Sequence, residues 1–178
     1  MSDTNKKYGF TLIELLVVVS IIALLSSVIL GALQDARVKA RDRALFSGVL
    51  ELQKAVELYK LKYGVYPKRS GSSTNTWIHR KADGTYESSS SAEANNILSQ
   101  IREFIPDMPQ PTIAGGVVGF YNSTSWSCSD NQTSPFAPYI IIFSPENMAQ
   151  FDNLPSGINF VSNGNITNDT TYKCLSGR

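Results

Sequence analysis

Apolar residues are distributed along this chain in three ways, and each predicts a different kind of element. From Leu15 to Leu33 only three serines and one glycine interrupt an otherwise apolar run, and about 20 such residues in a helix span a bilayer. Next comes a periodic pattern. Leu45, Val49, Leu52, Val56, Tyr59 and Tyr63 recur at helical steps, laying one apolar stripe along an amphipathic helix. Glu51 and Lys54, and Glu57 and Lys60, stand three apart on its wet face, where such pairs help an exposed helix. No proline occurs from Asp35 to Tyr63 and the only glycine there is Gly48, so one helix is expected from Thr11 to Tyr63, about 80 Å long at 1.5 Å per residue. It should end at "YGVYP", with Gly64 as the cap and Pro67 barring continuation. The stripe is read as packing on the chain's own outer domain; a coiled-coil partner is the alternative, but the stripe covers few heptads.

After Pro67 the pattern shortens. "KRSGSSTNT" and "TYESSSSAEANN" read as exposed loops flanking "WIHRKADG", a hairpin with its turn at Asp83 and Gly84. A second helix is expected from Ala92 to Ile105, with Ile97, Leu98, Ile101, Phe104 and Ile105 on one face and "PDMPQP" ending it. "GVVGFYN" from Gly116, "YIIIFS" from Tyr139, "INFVS" from Ile158 and "TTYKC" ending at Cys174 read as strands. No helices fall between them, which argues an antiparallel sheet with one face to bury against the long helix. The fold class is therefore α+β: a long N-terminal helix packed on a small antiparallel sheet.

The 178 residues suit one outer domain plus a membrane segment. Lys and Arg number 16 against 15 Asp and Glu, so no bulk field argues for a nucleic-acid partner, and none is expected. Charge does not orient the apolar run either: Lys6 and Lys7 precede it, while Arg37, Lys39, Arg41 and Arg43 follow, diluted by Asp35 and Asp42. A secretory signal peptide is the other reading of that run, but its apolar core should be only about 7 to 15 residues, and Leu30 and Ala32 fit a cleavage site poorly. Cys128 and Cys174 both lie downstream of the run and so share a compartment, where they form either a disulfide or a free buried pair.

Catalytic signals are sparse. His79 is the only histidine and is read as a surface residue, without partners for a zinc cluster or a base. No phosphate-cradling glycine motif or nucleophile context occurs. "CSDNQT", "FDN" and "TNDTT" hold calcium-type oxygens without a fixed loop spacing and are read as turns. Asn122, Asn131, Asn165 and Asn168 head N-x-[ST] triplets, weak evidence for glycosylation. The chain is expected to be no enzyme and to need no cofactor or metal.

Glu14 stands alone as a carboxylate at the threshold of the apolar run. A charge inside a membrane helix is expensive and is a functional candidate once a partner is named; the alternative is that it snorkels to water at the interface. "KKYG" followed by "FTLIELL", then an apolar helix passing into an amphipathic one that ends in "AVELYKLKYGVYP", resembles the N-terminal third of type IV pilins and type II secretion pseudopilins. The resemblance covers residues 6 to 67. It implies a pilin-like fold and four regions: a leader at 1–9, a membrane and filament-core helix at 10–33, the amphipathic half of that helix at 34–63, and an ectodomain at 64–178. It implies cleavage between Gly9 and Phe10 by a prepilin peptidase, and N-methylation of Phe10. It implies also that Glu14 meets the Phe10 amine of a neighbouring subunit to set register, that Cys128 and Cys174 are joined as in many pilins, and that the ectodomain lies outside the inner membrane. The implied function is a subunit of a type IV pilus, self-associating into a helical filament through the pilus or type II secretion assembly machinery. A pseudopilin of a type II secretion system is the first alternative; a binding domain tethered by one helix is the second. Gly31 departs from the family by standing where many members have a helix-bending proline, which leaves the bend open and local softness expected.

Overall fold

The computed structural model describes residues 9–68, 76–88, 91–122, 126–128, 138–154, 159–162, 165–168 and 172–177. Helix α1 runs without a break from Leu12 to Tyr63. The chain divides into two compact units, Met1–Val38 and Lys39–Arg178, so α1 contributes its first half to one and its second half to the other.

In the first unit, no residue of the apolar stretch is buried among the described residues. Ile13, Leu24, Val28 and Leu30 are all more than 60% exposed. In water this would leave tens of kcal/mol of apolar burial unrealised. Two of its three serines bond back to the helix: Ser20 Oγ donates to Leu16 O at 2.7 Å and Ser27 Oγ to Leu24 O at 2.8 Å, which lowers the polar obstacle to hydrocarbon. The helix continues through Gly31, and a Cβ there would meet nothing within 4 Å, so no contact among the described residues requires glycine at that position.

In the second unit, Leu45, Val49, Leu52 and Val56 are buried along one face of α1, as the stripe predicts. Tyr59 is half-buried and Tyr63 is exposed. The Glu57 and Lys60 pair on the wet face turns out otherwise. Glu57 accepts from Tyr139 Oη at 2.6 Å, and Lys60 lies 4.8 Å over the Tyr66 ring; a core phenol and an aromatic face outcompete a water-exposed ion pair. Gly64, at φ 74°, closes the helix by donating to Lys60 O at 2.8 Å.

The stripe packs against a five-stranded antiparallel sheet. Strands β1 (Thr76–Lys81) and β2 (Tyr86–Ser88) form the expected hairpin, turning at Gly84 with φ 83°. The polar run before the second helix is therefore mostly structured: β2 takes its start and α2 (Ser91–Ile101) its end. Helix α2 stops four residues short of the expectation because Ile105 precedes Pro106 and is biased away from helix. Ile97, Leu98 and Ile101 are buried, while Phe104 and Ile105 are half-buried beyond its end. The connection that follows crosses α1 at Gly48, where an added Cβ would come within 2.8 Å of Pro109 Cβ.

Strands β3 (Val117–Asn122), β5 (Ile140–Phe143) and β8 (Lys173–Ser176) complete the sheet in the order β2-β1-β3-β5-β8. A three-stranded sheet comprises β4 (Trp126–Ser127), β6 (Asn159–Ser162) and β7 (Asn165–Asn168). "INFVS" is thus a strand, but of this second sheet. The main sheet, expected to bury one face, buries both. Val118, Phe120, Ile141 and Phe143 face α1, while Val117, Tyr121, Ile140 and Ile142 form a second core with Cys128 and Cys174. This two-sided burial explains why β5 reads as an unbroken apolar run.

Candidate assembly site

Gly9 and Phe10 precede α1 outside any helix or strand; among the described residues nothing lies within 4 Å of where a Cβ on Gly9 would stand, and Phe10 is 92% exposed. Residues 1–8 lie outside the described residues. Glu14 does not reach toward empty solvent. Thr11 N donates to Glu14 Oε2 at 2.9 Å, Thr11 Oγ to the same oxygen at 2.7 Å, and Glu14 N returns a bond to Thr11 Oγ at 3.3 Å. This is a reciprocal capping box, with Thr11 at the N-cap and Glu14 three residues on, satisfying amides that the first helical turn leaves without carbonyl partners. The signal is spelled in the sequence as T-L-I-E, and Thr11 is the residue that charge reasoning passes over. Glu14 Oε1 accepts no bond among the described residues, so one carboxylate oxygen holds the cap and the other is open.

In the second unit, Asp42 is fully buried. Its carboxylate accepts from Glu146 N at 2.7 Å, Asn147 N at 2.9 Å and Gln150 Nε2 at 3.1 Å. Beside it, Arg41 makes a two-pronged pair with Glu146 at 2.6 and 2.7 Å. Together they clamp the segment after β5, including its short 3-10 turn Met148–Phe151, to α1. On sequence alone Asp42 counts only as a diluting charge; nothing local marks it as buried.

Cys128 and Cys174 are joined, their Cα atoms 5.7 Å apart. Since Cys174 lies opposite Ile142 in the main sheet and Cys128 follows β4, the bridge staples the second sheet to the first. His79 is not the surface residue expected. It lies on the outer face of β1, mostly buried beside Trp77 at 4.8 Å and bonded through Nε2 to the Tyr121 hydroxyl. Burial lowers its pKa to about 4, outweighing the opposing pull of Glu87. Gly119 makes the space, for a Cβ there would come within 2.7 Å of the His79 ring.

Among the described residues, no group of three His, Cys, Asp or Glu side chains converges to hold a metal; residues 129–133 and 169–171 of the acidic segments lie outside them. Asn131 is also outside, and β7 carries Asn165 and Asn168. Asn122 Nδ2, the atom a glycan would use, donates to Pro67 O at 2.8 Å.

Residues 4–30 match the family model described as the prokaryotic N-terminal methylation motif. The chain is 37% identical over 67 residues to the type II secretion system core protein G of Escherichia coli K12, and 36% identical over 67 residues to that of Vibrio cholerae. Each of these alignments covers 38% of this chain and 46% of the relative, so the chain spans about half the length of these relatives. It is 29% identical over 142 residues to the fimbrial protein EcpC of Eikenella corrodens, covering 73% of this chain and 87% of that one. No solved structure matches it.

Proposed function

We propose, from the premise that this chain belongs to the type IV pilin and pseudopilin family, that it is a structural subunit of a type IV pilus, anchored by α1 in the inner membrane and then polymerised through it. The observation that carries this reading is the first half of α1, whose apolar window is unburied among the described residues. Such a surface needs a bilayer before assembly and other copies of itself afterwards. Similarity to a fimbrial protein along most of both chains favours a pilin. Higher identity to secretion core protein G, over a shorter stretch of 67 residues, favours the second reading, a pseudopilin.

In this proposal a prepilin peptidase cuts between Gly9 and Phe10, the Phe10 amine is methylated, and Glu14 meets that amine on a neighbouring subunit. The division of labour within Glu14 makes the reading testable. One oxygen caps its own helix; the other is open to a neighbour's cation. Glutamine serves in a capping box as glutamate does, so Glu14→Gln keeps the helix start and removes only the charge, whereas Glu14→Ala removes both. Filaments are sheared from cells holding equal amounts of membrane subunit and quantified. Both variants should lose filaments while remaining processed after Gly9. Normal yield from Glu14→Gln would mean that capping, not charge, is the residue's work. Long surface filaments containing the chain support the pilus reading; secretion lost on deletion, with no such filaments, supports the pseudopilin.

A further inference from the structure

The second unit begins on α1 with a basic stretch whose members are not equivalent. Arg41 is taken up by Glu146. Lys39 and Arg43, one turn apart on the same helix face, are exposed and form no ion pair or hydrogen bond among the described residues. The one carboxylate between them, Asp42, is buried and already accepts three bonds. Lys39 and Arg43 edge a pocket of about 460 Å³. Its floor is apolar, made by Phe46 and Phe151, whose rings lie 5.2 Å apart, and by Leu154; the amides of Gln150 and Asn153 stand at its rim.

The geometry points to a site for the phosphate headgroup of an anionic phospholipid, the phosphate held by Lys39 and Arg43 and the glycerol and first acyl carbons lying on Phe46, Phe151 and Leu154. Two cations on one helix face, with the exposed Asn153 amide beside them, recognise an anion. The floor decides which anion: a small soluble phosphate would leave three apolar side chains uncovered, whereas a lipid presents charge and hydrocarbon together. Lys39 follows the end of the apolar run by six residues of unbroken helix. Helical side chains lean toward the N-terminus of their helix, here toward the apolar segment. The inference rests on the reading of residues 10–33 as a membrane span, and it gives the ectodomain a lipid ligand that must be released when the subunit leaves the bilayer for the filament.

The test uses the full chain purified in a neutral detergent and titrated separately with phosphatidylglycerol, diacylglycerol and glycerol phosphate, bound molecules being read by native mass spectrometry. Phosphatidylglycerol should bind saturably, and the other two should not at the same concentrations. The double variant Lys39→Gln, Arg43→Gln should weaken that binding roughly thirtyfold, since each cation near an anionic headgroup contributes independently. Arg37→Gln with Lys54→Gln removes the same charge outside the basic pair and should change it less than about threefold. Asn153→Glu, an exposed substitution at the rim, should also weaken it. Equal loss in both double variants means diffuse attraction and overturns the site, as does no binding by the wild type. Binding of glycerol phosphate as tight as that of the lipid overturns the lipid assignment. Oligomers that dissociate in the Lys39, Arg43 variant while phosphatidylglycerol binding is unchanged assign the pair to a second copy and overturn it too. Alkaline extraction of membranes tests the span separately: release of the wild-type chain overturns the anchor, whereas a chain that resists extraction but binds no phosphatidylglycerol overturns only the pocket.

Discussion

Asp42→Ala is the sharpest test of how the sheet of the second unit is held to its helix. The substitution deletes an acceptor of three hydrogen bonds at a fully buried position. Each bond to a charged group contributes about 1.5–3 kcal/mol, and a donor left without a partner in a dry site costs about 1–3 kcal/mol. Glu146 is half-buried and Asn147 exposed, so water can reach part of what the carboxylate vacates. The expected loss is therefore about 3–4 kcal/mol, below the naive sum of three such bonds but a large share of the roughly 5–15 kcal/mol that stabilises a typical domain. Asp42→Asn should cost less, about 2 kcal/mol, because its amide oxygen still accepts while its NH₂ confronts other donors. Urea unfolding of the full chain in detergent, followed by tryptophan fluorescence, reads the second unit selectively, since Trp77 and Trp126 both lie there. Hydrogen exchange at the Glu146 and Asn147 amides supplies a local check: both should be protected in wild type and open in the alanine variant. An Asp42→Ala protein within about 0.5 kcal/mol of wild type, the range of an ordinary surface substitution, with unchanged exchange at those amides, would refute the clamp.

Other predictions follow from the outer face and the end of the main sheet. His79 has a native pKa of about 4 against about 6.5 unfolded, so the unfolded chain binds the proton first as pH falls. Stability should drop between about pH 6.5 and 4, by up to about 3 kcal/mol, and not change from this source above that window. His79→Gln should flatten this part of a pH series of urea midpoints; an unchanged slope would dismiss His79 as its origin. Replacing Cys128 and Cys174 together by serine should lower stability by about 4 kcal/mol on the chain-entropy account for a separation of 46 residues, read as a fall in thermal midpoint; no fall would mean the bridge constrains neither state. Gly177→Ala should cost about 1–3 kcal/mol, because a Cβ there overlaps the ring of buried Tyr139, and a thermal midpoint equal to wild type would show that the ring yields freely.

Much of this fold can be read from periodicity. The buried stripe of α1, the cap at Gly64, the hairpin turn at Gly84 and the strands β3 and β5 all follow from spacing and from residues suited to turns. Other features escape because their causes are nonlocal. Nothing near Asp42 in sequence announces the amides of Glu146 and Asn147 that bury it. His79 reads as a surface residue because the sequence offers it no His or Cys partner, yet Trp77 flanks its ring and the Tyr121 hydroxyl, 42 residues away, bonds its Nε2. At the assembly site the failure is different. Thr11 and Glu14 form a pattern that is fully local, T-L-I-E, but the cost of a charge in hydrocarbon draws attention to the carboxylate alone and away from the cap it completes.

The position of Tyr139 bears on when this protein becomes folded. Its hydroxyl donates to Glu57 on α1, its carbonyl accepts from Gly177 N at 3.0 Å, and the next residue begins β5, which β8 must flank. The helix is translated early, and the strand that completes its sheet comes more than a hundred residues later. At about 5–20 residues per second, α1 therefore emerges several seconds before β8 exists. During that interval its apolar first half can enter the bilayer, while the stripe from Leu45 to Val56 waits without the full surface that will cover it. Contacts so distant along the chain are also slow to form. Membrane insertion should thus precede ectodomain folding by the order of synthesis itself, and a chain interrupted before Lys173 would be an anchored helix carrying an unfinished sheet.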